Sequence, residues 1–133
     1  MASYLCTSSL FIACELDKVG PALDLAHNWI NRRIEEEDHC GVSISKVPGP
    51  DHGLYLYEAE AFSPDNCAEL IVLLMDFLGI SEPIAFTWSE TCSKLRPGAF
   101  AGGGCIVWPD KEPSFIHPIR IMNALVGTQD DSI

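Results

Sequence analysis

Cations are scarce in this chain: eight Lys and Arg stand against nineteen Asp and Glu, a formal net charge of -11. Affinity for a nucleic-acid backbone rests on cations that neutralise phosphates, so direct nucleic-acid binding is disfavoured, and so is an anionic membrane surface. No apolar run approaches the ~18 residues from which a transmembrane helix is read. No Lys or Arg precedes the partly apolar start, Tyr4 to Cys14, and Ser and Thr interrupt it. A secretory signal needs a charged start and a continuous apolar centre, so this segment reads as a strand of a cytoplasmic protein. Six cysteines occur at 6, 14, 40, 67, 92 and 105, but no Cys-x-x-Cys is among them. The strong zinc and redox signatures are therefore missing, and no metal or cofactor is expected.

What the chain has is apolar material. Of its 133 residues, 47% are hydrophobic, enough for one core without disulfide staples. The expected organisation is a single domain over residues 1–127 and a loose tail over 128–133. The cysteines sit largely in apolar runs, where a thiol behaves as a small hydrophobe, and reduced, buried thiols are expected.

Residues 4–14 read as a first strand with Leu10, Ile12 and Cys14 on one face. Val19, Ala22, Leu23, Ala26, Ile30 and Ile34 then recur at three- and four-residue steps. They predict a helix from about Lys18 or Ala22 to Glu36, with Asp17 as a cap and Pro21 in the first turn. The run Glu35 to Asp38 falls at the C-terminal end, where the helix dipole disfavours negative charge. It is either a solvated helix end or a partner surface. Gly41 to Val47 and Leu54 to Phe62 predict a hairpin across the turn cluster 48–53. Tyr55 and Tyr57 share one strand face and are expected to pack under a helix, with an aromatic binding strip as the alternative.

Ser63-Pro64-Asp65 is the clearest local signal: a cap, a first-turn proline and an acid at the positive helix end. The stripe Cys67, Leu70, Ile71, Leu74, Met75, Leu78 follows, and Gly79 closes the helix. Ile84 to Trp88, Phe100 to Trp108 and briefly Ser114 to Ile116 read as strands, and Pro118 to Val126 as a short helix. The order is β-α-β-β-α-β-β-α. Two helices with one apolar stripe each are best buried on one face of a mostly antiparallel sheet, an α+β two-layer sandwich of ferredoxin-like type.

Candidate chemistry concentrates between Ile84 and Trp108. Trp88, Cys92, Lys94, Arg96, Gly102, Gly103, Gly104 and Cys105 are the candidate ligand-binding residues; none is assigned as catalytic. Three glycines can bring backbone N–H groups close to a ligand. They can equally bend a strand against a bulky neighbour such as Trp88. No Gly-Lys-Ser/Thr follows and the run leads into a strand, so neither a Walker loop nor a dinucleotide fingerprint fits. Lys94 and Arg96 would favour the Cys92 thiolate, and a nearby His117 would complete a nucleophile and base. His39, Cys40, Asp51 and His52 are the residue types of a metal site, although adjacent His39 and Cys40 suit one ion poorly. Glu58 and Glu60 share a strand face, where a solvated exterior stands against acid–base work.

The segment Thr91-Cys92-Ser93-Lys94-Leu95-Arg96-Pro97-Gly98-Ala99-Phe100-Ala101-Gly102-Gly103-Gly104, preceded by Phe86-Thr87-Trp88-Ser89, resembles one in small uncharacterised proteins of phages, plasmids and other mobile elements. In those proteins a Cys-Ser-Lys-x-Arg loop precedes a phenylalanine and a glycine triplet. The resemblance does not reach the helices, and it implies no activity for any residue.

The expectation is a small acidic, non-enzymatic module that binds another protein. If the resemblance extends to biology, it is a mobile-element accessory protein acting on a basic host partner. The alternative is a small-molecule-binding domain or enzyme with its pocket at the Cys92 to Gly104 loop. A homo-oligomer built on an exposed sheet edge is the third reading.

Overall fold

In the computed structural model, which describes residues 4–47, 51–92, 101–118 and 125–126, eight elements follow one another. They are β1 (Tyr4–Ala13), α1 (Leu16–Glu37), β2 (Ser43–Lys46), β3 (Gly53–Glu58), α2 (Pro64–Leu78), β4 (Ile84–Cys92), β5 (Ala101–Val107) and β6 (Ser114–Ile116). The strands form one antiparallel sheet in the order β2-β3-β1-β4-β5-β6. Its β4-β1-β3-β2 portion has the ferredoxin-like order, and β5 and β6 extend it beyond β4. Pro118, Leu125 and Val126 have helical backbone; the rest of the expected last helix, 119–124, and the tail lie outside the described residues. Among the described residues no helix is long and apolar enough to cross a membrane.

Both helices cover the same sheet face. Alternation sends Ile12, Ile44, Leu54, Leu56, Phe86, Trp88, Cys105 and Val107 towards them, and all are buried. α2 answers with Leu70, Ile71, Leu74 and Met75, and α1 with Val19, Ala22, Ala26 and Ile30. The two alanines let α1 lie close to its neighbours. Each large side chain fully removed from water contributes about 1.5–3 kcal/mol, so this layer supplies most of the stability.

The two helices are started differently. Ser63 accepts a hydrogen bond from the Asn66 amide at 3.3 Å, Pro64 occupies the first turn, and Gly79 ends α2 at φ 69°. α1 departs from expectation. It begins at Leu16 after Glu15, which makes no side-chain cap, and Asp17 lies within its first turn. Pro21 is inside the helix, where its missing N–H leaves the Asp17 carbonyl without its usual partner. The Lys18 amide, bonded to the Glu15 carbonyl at 2.9 Å, closes the turn upstream.

Two further expectations are corrected. Ile34 is 44% exposed, the last turn of α1 having left the core. Tyr55 and Tyr57 lie on the open face of the sheet, 39% and 36% exposed, because their neighbours Leu54 and Leu56 take the helix side. The two rings stack on each other at 4.9 Å.

β1 divides its pairing. Tyr4 to Thr7 pair with β4, whereas Ser8 to Ala13 pair with β3. Where β3 leaves, the chain turns back and Cys6 bonds through its backbone to Glu60 and Phe62 at 2.8 and 3.0 Å.

Candidate functional site

The stretch richest in candidate residues is largely packing. Gly103 lies opposite Trp88 in the β4–β5 ladder. A Cβ on Gly103 would stand 2.8 Å from Cη2 of the Trp88 indole, inside the ring's van der Waals envelope. The ring lies over the glycine because nothing there holds it away, and Phe86 and Phe115 enclose it at 6.0 and 6.4 Å between centroids. A Cβ on Gly102 would meet the Trp88 carbonyl oxygen at 2.8 Å, whereas one on Gly104 would find ordinary contacts. All three glycines are paired strand residues.

Cys105 is buried under α2, and burial, aided by Asp65, pushes its thiol up to about 11. Burial also raises Cys67, which has Cys105 and Cys40 as neighbours. Cys6, Cys14 and Cys40 shift upwards too, again chiefly through burial. None of these five thiols is an activated thiolate at neutral pH. The His117 ring meets the edge of Trp88 at 6.1 Å. Cys92 ends β4 opposite Tyr4; its side chain, together with Lys94 and Arg96, lies outside the described residues. Thus Trp88, Gly103 and Cys105 share the helix side of two paired strands.

The metal candidates are separated by burial. Cys40 is buried, and its carbonyl accepts from the Asn66 side chain at 2.8 Å; His39, Asp51 and His52 are exposed. Among the described residues no cluster of three or more His, Cys, Asp or Glu is placed to hold a metal ion.

The helix layer has a stronger character. From Glu15 to Asp38 and from Ser63 to Gly79 the chain carries ten carboxylates and three cations, Lys18, Arg32 and Arg33. All ten acidic residues are exposed. Arg33 is already engaged: it contacts Glu69 of α2 at 2.8 Å and Glu37 at 3.4 Å, and its guanidinium lies over Trp29 at 4.7 Å. Neither helix has a basic residue in its last turn, so nothing offsets the dipole at those ends. Asp38, the last residue of the acidic run, is left-handed at φ 64°. The Glu35 to Asp38 run is visible in sequence. Its union with Asp65, Glu69 and Asp76 is not, because only tertiary packing brings α2 beside α1. The signal available in advance was that α2 contains no Lys or Arg at all.

No family model, curated protein or solved structure matches the chain.

Proposed function

We propose that this protein is a protein-binding module whose acidic helix layer engages a basic surface on its partner. The observation that carries the reading is the concentration of ten exposed carboxylates on two adjacent helices and the caps of the first, with the bridging cation Arg33 already paired. Self-repulsion of this kind costs folding stability and is offset when a cationic surface arrives. Long-range attraction then speeds encounter, and like-charged partners are rejected. The layer presents negative charge much as a phosphate backbone does, and the mobile-element resemblance of residues 91–104 fits an accessory protein acting on a nucleic-acid-binding host protein.

The test is capture of host proteins on the immobilised chain at low and at physiological salt, beside a variant carrying Glu35→Lys, Glu36→Lys and Glu69→Lys. Screening shortens the reach of surface charge to about 10 Å at 0.1 M salt. The expected result is a specific basic partner that is released by salt and not retained by the variant. A specific partner held equally at both salt concentrations and by the variant would overturn the reading.

A further inference from the structure

The open face of the sheet carries a groove of about 420 Å³, within the range of small-ligand sites. Its origin is the divided pairing of β1. The β1–β4 ladder ends at Thr7 opposite Ser89. One residue later, the Ser8 hydroxyl donates to the Thr87 carbonyl, so a side chain replaces the next ladder bond. Beyond that point β1 pairs only with β3, and the β1 and β4 edges facing each other carry no ladder. Backbone N–H and C=O groups in such a gap need partners from elsewhere.

The side chains around the gap have a consistent chemistry. Thr7, Ser9, Thr87 and Ser89 give it a floor of short hydroxyls. Thr7 and Ser89, the last pair of the ladder, lie about 5 Å apart, and the two hydroxyl residues along each strand about 7 Å. The stacked Tyr55 and Tyr57 form one wall. Glu58 stands beside them, with one carboxylate oxygen accepting from the Ala59 amide at 3.2 Å and the other free to accept. The Thr7 hydroxyl donates to the Ala59 carbonyl at 2.7 Å, which leaves its lone pairs turned to accept.

We infer that this groove binds a small neutral polyhydroxyl ligand, a saccharide of one or two rings. Hydroxyls and a carboxylate supply the mixed donors and acceptors that a sugar requires. The outer face of the stacked tyrosine pair offers the flat apolar surface on which a sugar ring's C–H edge packs. An anionic ligand is disfavoured, because the lining contains Glu58 and no Lys or Arg. A wholly apolar ligand would strand the floor hydroxyls without water.

The experiment is titration of the isotope-labelled full chain, followed by amide NMR, with glucose, N-acetylglucosamine and maltose, and with glucuronate and glucose 6-phosphate as charged counterparts. At millimolar concentrations a neutral sugar should shift the amides of Thr7, Ser9, Thr87 and Ser89 and leave those of α1 and α2 in place. Tyr57→Ala should weaken that binding about tenfold, the equivalent of one lost stacking contact, whereas Tyr57→Phe should retain most of it. The amide spectrum of each variant reports its folding directly. Absence of groove shifts with all three neutral sugars, or equal shifts with the charged ones, would overturn the inference.

Discussion

The two faces of this sheet are made from the same strands but have opposite chemistry. On the helix side alternate residues are Ile12, Leu54, Leu56, Phe86 and Val107; on the open side their strand neighbours include Thr7, Ser9, Tyr55, Thr87 and Ser89. The formal charge is separated further still. The outer surface of the helix layer is crowded with carboxylates, whereas hydroxyl and aromatic groups dominate the open face. The proposed partner of one surface is therefore a basic macromolecule, and that of the other a small neutral ligand. Stability comes from neither, being concentrated in the layer between sheet and helices.

That division can be broken by substitution. The largest effect is expected from Leu74→Ala, which removes a fully buried side chain from α2. It should lower the unfolding free energy by about 2–5 kcal/mol in urea titration, against less than about 1 kcal/mol for Tyr57→Ala on the open face. Equal losses would mean that the open face also holds the fold together.

Adjacent glycines sharpen the comparison. Gly103→Ala drives a methyl into the Trp88 ring and should cost about 1–3 kcal/mol. Gly104→Ala, directed at the open side beside Thr87, should stay within about 0.5 kcal/mol of the parent or gain slightly through a less flexible unfolded chain. Thermal melts of both variants make the check. A Trp88→Ala background should relieve the Gly103→Ala penalty, since the obstructing ring is gone.

Near neutral pH the buried thiols leave stability unchanged, and their effect is a slope confined to alkaline pH. The Cys105 thiol titrates near 9 when unfolded and is pushed up to about 11 in the fold. The folded state therefore holds its proton longer. This contribution is complete below pH 9 and is lost as pH rises towards 11. Denaturant midpoints should fall across that window, and Cys105→Ala should reduce the slope, leaving the part due to Cys67.

Local chemistry was legible in the sequence. Ser63, Pro64 and Gly79 set the limits of α2 because a cap and a left-handed end involve only neighbouring residues. The order of elements and the two-layer sandwich follow from the same periodicities. The face of Tyr55 and Tyr57 is ambiguous in sequence because Leu54 and Leu56 alternate with them, and both sets are hydrophobic enough to be the buried one. The purpose of Gly103 depends on its register opposite Trp88. The groove depends on register across β3, β1 and β4. Its one sequence trace is the repeated spacing of hydroxyls, Thr7 with Ser9 and Thr87 with Ser89. The acidic layer was half legible, as a run in α1 and as a composition in α2.

The divided partnership of β1 has a consequence for synthesis. On the ribosome this strand is made before either of the strands that will flank it. Its second half meets β3 only after α1 and β2 have emerged, and its first half must wait until Ser89 to Cys92 have been translated. At about 5–20 residues per second, the N-terminal end of the strand spends several seconds without its partner. Between Tyr4 and Ala13 there is no charge, proline or glycine to blunt the strand, so the hydroxyls of Thr7, Ser8 and Ser9 are all that interrupts its apolar character during that interval.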